Sequence, residues 1–329
     1  VDILSSGSIC LSGKKLGLIA GTLPNEPVHL KLDKKGGRVE FRAGRFVSRL
    51  AGMDSDQFPE VARVEGEWIK IPANIFYEGL KRTSFAVIDD QKRFAINGVL
   101  LQIENGELKM VSTDGHRLCY FRMMLGVGNG LNLNCLIPIK AVRELMKILL
   151  NEIRTGKQSE IKVKKGSQLE FEIGSKTMTA REITGTFPNW EMVIPKSFEC
   201  FAEINSGQFA QALTRVGVLA DGMHRRIEMI FYPGKVQLKA ESPETGFSTE
   251  EVACTFRHLD QSENEKSNNE DGWKIAFNAK YLADFFSIYN AKRDDQRFVW
   301  KFGVSGSQTE LKFEGEEQMF SYILVPLKI

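Results

Sequence analysis

One supersecondary plan recurs five times along the 329 residues. Each copy has a short alternating strand, a proline or polar cap, an amphipathic helix of about three turns, and then strands joined by glycine turns. The copies open with "SICLSGKKLGLIAG", "EWIKIPANIFYEGLKRTSF", "NCLIPIKAVRELMKILLNE", "AEINSGQFAQALTRVGVLAD" and "WKIAFNAKYLADFFSIYNA". Their helix starts fall at Ser12, Pro72, Pro138, Ser206 and Asn278, residue types suited to an N-cap or first turn. Successive starts lie 60, 66, 68 and 72 residues apart, so one unit of near-constant length is being reused. The segments "DKKGGRVEF", "IENGELKMV", "KKGSQLEFEI" and "YPGKVQLKA" set glycine turns between period-two apolar runs, the mark of hairpins. The predicted class is therefore α+β, made of repeated β-α-βββ units with antiparallel sheets.

A longer period overlies the first. Phe58-Pro59 and Phe187-Pro188 stand 129 residues apart, each closing a pair of units. Pairing predicts one domain over 66–196 and another over 197–329, each with two helices and about eight strands, and leaves 1–65 as half of a first domain. One helix with a few strands cannot easily bury both its faces alone. The expectation is that a sixth unit precedes Val1.

Composition excludes several classes of function. No uninterrupted apolar run reaches the roughly 20 residues of a membrane-spanning helix, and no signal peptide is visible, so no membrane role is expected. The cysteines at 10, 119, 135, 200 and 254 are odd in number and widely spaced. They read as reduced thiols of a cytoplasmic protein rather than a disulfide framework. His29, His116, His224 and His258 are not at ligand spacing from one another, so no metal site is expected. Neither a P-loop nor a dinucleotide-binding glycine motif is present, and no cofactor is expected.

Charge is unevenly placed. The five helical spans hold nine basic and three acidic residues, while the whole chain is only +2. In the third helix Val142, Leu145, Met146, Leu149 and Ile153 fall on one side and Lys140, Arg143 and Lys147 on the other. Phe76 and Leu80 face inward in the second helix, with Lys81 and Arg82 on its polar side. Lys14, Lys15, Arg215 and Lys280 add to the exposed helical cations. A surface lined by such helices would meet phosphates through point charges without reading bases. The acidic run "LDQSENEKSNNEDG" at 259–272 reads as a solvated loop.

The segments "RFAINGVLLQIENGELKMVSTDGHRL" (93–118), "FPNWEMVIPK" (187–196) and "YILVPLKI" (322–329) together resemble the bacterial DNA polymerase III beta subunit family, the replicative sliding clamps. The similarity runs through the whole chain in order, with the first half of domain one missing. The resemblance implies a DNA-clamp fold: a head-to-tail homodimer ring, helices lining a central hole and sheets forming the outer wall. It implies double-stranded DNA, the DNA polymerase III alpha subunit, the clamp loader and other clamp-binding-motif proteins as partners. It places Lys92, Arg93 and Phe94 on a loop near the DNA path, with Arg225 and Arg226 on a similar loop.

By the same resemblance, "STDGHRL" forms one wall of an apolar pocket for a short linear peptide. The matching positions are Arg93, Ile96, Thr113, Gly115, His116 and Leu118. Pro188, Met192 and Val193 join from the second Phe-Pro segment, and Leu324, Val325, Pro326, Leu327 and Lys328 from the C-terminal segment, with Thr309 nearby. Leu118, Leu324 and Leu327 are expected to supply most of the apolar area. Subunit joining is expected to use Arg45, Ser48 and Leu50 from one chain against Val218 and Leu219 of another. A hydrolase reading of Ser112, Asp114 and His116 is disfavoured, because these residues meet locally and no nucleophile elbow accompanies them; no catalytic residue is assigned. The alternative function is a repeat-built peptide-binding adaptor that does not encircle DNA.

Overall fold

The structure, a computed structural model, describes residues 2–33, 36–59, 64–88, 93–126, 132–156, 159–220, 225–244, 246–259, 272–288, 296–304, 307–316 and 319–328. It divides into two compact units, Val1–Arg63 and Val64–Ile329.

In the first, helix α1 (Gly13–Ala20) is followed by strands β1 (His29–Asp33), β2 (Arg38–Ala43) and β3 (Phe46–Ala51). The strands form an antiparallel sheet in the order β1-β2-β3. Val39, Phe41 and Ala43 of β2 are buried. Helix α1 is shorter than the sequence predicts, at 8 residues, and buries none of them. Gly17 in its interior weakens it by about 1 kcal/mol relative to alanine, and Gly21 ends it as C-cap.

The second unit holds four copies of the plan. The first copy is β4 (Ile69–Pro72), α2 (Ala73–Thr83), β5 (Gly98–Glu104), β6 (Glu107–Thr113) and β7 (Arg117–Met124). The next is β8 (Leu133–Pro138), α3 (Ile139–Arg154), β9 (Glu160–Lys165), β10 (Leu169–Ile173) and β11 (Lys176–Ala180). Then come β12 (Phe198–Asn205), α4 (Ser206–Gly217), β13 (Arg226–Tyr232), β14 (Lys235–Ser242) and β15 (Gly246–His258). The last is β16 (Trp273–Asn278), α5 (Ala279–Ser287), β17 (Arg297–Gly303), β18 (Thr309–Phe313) and β19 (Phe320–Leu324). Asn105 and Gly106, both at positive φ, make the two-residue turn between β5 and β6 that asparagine-glycine favours.

Copies interlock in pairs by exchanging their first strands. Strand β4 pairs with β9 and β8 with β5; likewise β12 pairs with β17 and β16 with β13. The exchange also caps the helices. The first helical N–H groups of α2, α3, α4 and α5 donate to the carbonyls of Ser159, Asn97, Gln296 and Arg225, each just ahead of the sister's hairpin. Pro72 and Pro138 offer no side-chain cap, so these borrowed carbonyls satisfy N–H groups that would otherwise be orphaned. Asn205, rather than the expected Ser206, caps α4: its carboxamide oxygen accepts the Gln208 N–H at 2.9 Å.

Helices α2 and α3 pack on strands among β4 to β10, and α4 and α5 on strands among β12 to β16. Phe76, Leu80, Val142, Leu145, Leu149, Phe209, Leu213 and Val216 are buried as their periodicity predicts, whereas Met146 and Ile153 are only partly covered. Gly79 lets α2 approach its sheet, because a Cβ there would stand 2.6 Å from Met110 Sδ. A sheet of twelve strands runs β16-β13-β14-β15-β12-β17-β18-β19-β7-β6-β5-β8, and a second, of four, runs β11-β10-β9-β4.

Cys119, Cys135, Cys200 and Cys254 are buried and unpaired, and Cys10 is partly exposed. Burial pushes the Cys135, Cys200 and Cys254 thiols up to about 12, and Cys119 well above its ordinary value of 9.0. Alkylation of the native protein at pH 8 should therefore modify Cys10 first, with the other four reacting only in denaturant, as peptide mass mapping would read. Well below pH 9 the four buried thiols are protonated in both states. As pH rises from 9 towards 12 the unfolded chain ionises first, so stability should fall over that window.

Candidate functional site

The site is assembled by the pairing of β7 with β19, which sets Leu118 opposite Ile323 and Arg117 opposite Leu324. Side chains alternate across a strand, so Leu118 and Ile323 share one face of the sheet while Arg117 and Leu324 share the other. The ladder extends one step further, where the Val325 N–H donates to the His116 carbonyl at 3.0 Å.

Polar side chains fix the turn that leads into β7. The Thr113 hydroxyl donates to the Arg117 carbonyl at 2.6 Å and accepts the Gly115 N–H at 3.0 Å. Asp114 Oδ1 accepts the N–H groups of His116 at 2.9 Å and Arg117 at 3.1 Å. Gly115 sits at φ +91°, where a side chain would be strained. Arg93 borders the turn through its Nη1, which donates to the Asp114 carbonyl at 3.3 Å.

Behind the turn, Arg117 is 7% exposed and binds in three directions. Its Nε meets Asp114 Oδ2 at 2.9 Å, its Nη1 meets Asp284 Oδ2 of α5 at 2.7 Å, and its Nη2 donates to the Phe85 carbonyl at 2.9 Å. The guanidinium also lies over the Tyr281 ring, 4.4 Å from its centroid. Burial works against the cation, but Tyr322, Asp284 and Asp114 outweigh it, and the pKa lies above the ordinary guanidinium value. Asp114 is thus occupied with the turn and with Arg117. The His116 ring stacks on Tyr281 with centroids 6.3 Å apart, so the hydroxyl, carboxylate and imidazole of "STDGHRL" serve the turn rather than converge on a reacting atom.

The third wall comes from a 3-10 turn, Trp190–Val193, which follows Phe187-Pro188. Trp190 packs on Tyr120 with centroids 4.7 Å apart. Leu100, Val111, Leu118, Leu136, Trp190 and Ile323 form a buried cluster apart from the main core. Over it opens a cavity of about 150 Å³ lined by Ile96, Thr113, Gly115, His116, Arg117, Leu118, Pro188, Trp190, Val193, Ile323 and Val325.

Several residues expected in the pocket do not line this cavity. Leu324 is fully buried in the main core, on the opposite face from Leu118. Thr309 is also fully buried; its hydroxyl accepts Trp300 Nε1–H at 3.0 Å and donates to the Leu324 carbonyl at 3.3 Å. Met192 is 79% exposed and does not line the cavity, although its neighbour Val193 does. Beyond Val325 the chain leaves β7, with the Leu327 N–H on the Ala276 carbonyl at 2.7 Å and the Lys328 carbonyl accepting from Arg226 at 3.0 Å. Pro326, Leu327 and Lys328 are therefore drawn towards β16 and β13 rather than lining the cavity. Ile323 and Trp190 were missed. Every position of β19 is buried, so no alternation distinguishes Ile323 from Leu324, and Trp190 sits in a turn without periodicity.

Among the predicted DNA-contacting residues, Lys14, Lys15, Lys140, Arg143, Lys147, Arg215, Arg225 and Lys280 are exposed, and Lys81 is partly so. Lys147 pairs with Glu144 at 2.7 Å, and Arg215 pairs with Glu250 at 2.8 Å. Such exposed pairs contribute little to stability. Arg82 corrects the expectation. It is buried, its two Nη atoms grip the Glu316 carboxylate and its Nε meets Glu78 at 3.3 Å. The end of β18 and its following turn thus cover a helix position that periodicity alone leaves in solvent. Lys92, the Phe94 side chain and most of the acidic 259–272 segment lie outside the described residues. Arg45 is exposed while Ser48 and Leu50 are partly buried in β3; Val218 is exposed and Leu219 partly buried after α4.

Residues 70–189 match the family described as DNA polymerase III beta subunit, central domain, and residues 191–299 match its C-terminal domain. The beta sliding clamp of Pseudomonas aeruginosa is 24% identical over 330 residues, covering 100% of this chain and 84% of that protein. That of Staphylococcus aureus is 29% identical over 329 residues, covering 98% and 81%. Among solved structures, the Pseudomonas aeruginosa sliding clamp bound to griselimycin superposes with a TM-score of 0.86 at 24% identity, covering 100% of this chain and 83% of that one. The Thermotoga maritima beta subunit superposes with a TM-score of 0.85 at 21% identity, covering 100% and 83%. The chain belongs to the bacterial DNA polymerase III beta subunit family, the beta sliding clamps.

Proposed function

We propose that this chain is a non-catalytic processivity clamp of the bacterial cytoplasm. It encircles double-stranded DNA as a head-to-tail homodimer and holds the DNA polymerase III alpha subunit, the clamp loader and other clamp-binding-motif proteins by a peptide in the Leu118–Ile323 cavity. The observation that carries this reading is the convergence of three distant segments on one small apolar cavity. Its size suits one or two aliphatic or aromatic anchors, and its rim offers main-chain groups to an extended peptide. The exposed cations of α3 and the other helices suit sequence-independent phosphate contacts, which weaken with salt and leave a topologically held clamp free to slide. Arg45 just before β3, Ser48 and Leu50 within it, and Val218 and Leu219 after α4 are the proposed ring joint, a form of strand addition.

The test is primer extension on circular DNA with clamp loader and polymerase. Removing Val325 to Ile329 deletes the lining residue Val325 and its hydrogen bond to His116. Long products should disappear, whereas undiminished processivity of the truncated protein overturns the reading. Neutralising Lys140, Arg143 and Lys147 together should shorten products as well; a peptide-binding adaptor that never meets DNA would show no such effect.

A further inference from the structure

Residues 182–191 lie against β8 and β5 and form a wall shared by two cavities. The Ile183 N–H donates to the Leu136 carbonyl at 3.1 Å, and Phe187 and Trp190 pack in the cluster of Leu100, Leu118 and Leu136. Pro188 and Trp190 line the small apolar cavity, and the same two residues line a second, larger cleft of about 530 Å³.

The cleft differs from the cavity in chemistry. Leu100, Leu136 and Phe187 give it apolar lining, but Gln102, Asn134, Thr186 and Asn189 line it too. Among the described residues, none of these four polar side chains makes a hydrogen bond. The cation that lines the cleft is already committed. Lys165 Nζ donates to the Asn134 carbonyl at 2.7 Å and to Glu182 Oε1 at 2.9 Å, and Glu182 Oε1 also accepts the Leu136 N–H at 3.1 Å. Glu191, by contrast, is exposed and forms no ion pair among the described residues. The cleft therefore offers uncommitted amides, a hydroxyl and a carboxylate, and no uncommitted cation.

The small cavity, at about 150 Å³, has room for one or two side chains. An extended segment advances about 3.3 Å per residue, so the residues next to a seated anchor rest beyond the rim. Pro188 and Asn189 are exposed; Pro188 belongs to both cavities and Asn189 to the cleft. We propose that the cleft receives the flank of the same peptide whose anchor fills the small cavity, and that Glu191 selects a lysine or arginine in that flank. The assignment rests on the peptide-binding reading of the small cavity and adds to it a preference for charge. A backbone crossing Pro188 meets the amides of Gln102, Asn134 and Asn189, which can donate and accept. An ammonium or guanidinium in the flank finds Glu191 unpaired. An acidic or phosphorylated flank finds Glu182 and Glu191, with Lys165 engaged, and is disfavoured.

The test is fluorescence anisotropy on the full chain with three labelled peptides: the anchor alone, the anchor with a lysine-bearing flank, and the anchor with a glutamate-bearing flank, each flank tried at either end. At one end, the lysine flank should bind about three- to fivefold more tightly than the glutamate flank at low salt, and the gap should close at high salt. Glu191→Gln should remove the gap and Glu191→Lys should reverse it, while the anchor alone binds all three proteins equally. Glu191 is exposed, so neither change disturbs the core, which urea unfolding checks. Position is read separately: under mild oxidation a cysteine in the flank should form a disulfide with Asn189→Cys, and not with the wild type, whose Cys135 is buried.

Equal affinity for the two flanks, or a gap that survives Glu191→Gln, overturns the assignment and leaves the small cavity's role standing. So does absence of the Asn189→Cys cross-link at every flank position. A lysine flank that binds as tightly without its anchor also overturns it, because the cleft would then be a separate site. Unchanged binding of the anchor alone to Ile323→Ala is a different result: it removes the peptide reading of the small cavity, and the assignment with it.

Discussion

Replacing Ile323 by alanine should weaken binding of a clamp-binding peptide by about tenfold or more, whereas replacing its neighbour Leu324 by alanine should leave peptide affinity nearly unchanged. Both side chains are fully buried in the free protein, so both variants should be less stable, by about 1–5 kcal/mol in urea unfolding. Only Ile323 lies on the cavity face, directly opposite Leu118. The cavity holds only about 150 Å³, and a wall that recedes by several carbon atoms no longer contacts an anchor seated in it. Fluorescence anisotropy with a labelled peptide, at a denaturant-free temperature well below melting, separates the two effects. Equal losses of affinity in the two variants would refute the assignment of faces across β19.

Arg117→Ala should be among the most destabilising single changes away from the hydrophobic core, by about 3–5 kcal/mol, because it strips a buried pair of one partner. The side chain of Asp114 is only 9% exposed and that of Asp284 28%, so both carboxylates would be left poorly solvated. The Phe85 carbonyl would lose its donor and Tyr281 the cation above its ring. Arg117→Lys should recover little. A lysine has one ammonium, and it cannot reach Asp114, Asp284 and Phe85 with the fixed fork that a guanidinium provides. Equilibrium urea unfolding is the measurement, and a loss below about 1 kcal/mol for Arg117→Ala would mean that the network contributes little net stability. Peptide affinity should also decline, since Asp114 and Arg117 hold the turn that presents Gly115 and His116 to the cavity.

The role of Arg117 shows what periodicity can and cannot convey. The run "STDGHRL" stands out because it is rich in reactive groups, and its turn is legible: glycine at positive φ, with aspartate and threonine bonding their own backbone, follows from local chemistry. The direction taken by Arg117 is not legible locally, because Asp284 lies 167 positions away and reaches it only through the packing of α5. Arg82 makes the same point from a helix. At 100° per residue it falls on the polar face, and solvent is the natural expectation there. Glu316, 234 positions away, covers it instead. The cavity divides in the same manner. Thr113, Gly115, Leu118, Pro188, Val193 and Val325 are traceable to three motif segments, while the choice of Ile323 over Leu324 depends on the β7 to β19 register.

Apolar periodicity, glycine turns and regularly spaced caps by themselves determined the number of copies, the class of most elements and the inward face of every well-buried helix; the strand expected ahead of α1 forms only the Cys10 to Met53 bridge. These are short-range matters, settled within a few residues by sterics, capping and the separation of oil from water. Only the tertiary structure decided which copy exchanges strands with which, which side of a doubly buried strand meets the cavity, and which cations are consumed by carboxylates far along the chain. Those outcomes depend on register and on long-range approach, and a one-residue slip in either would turn every side chain of a strand to its other face.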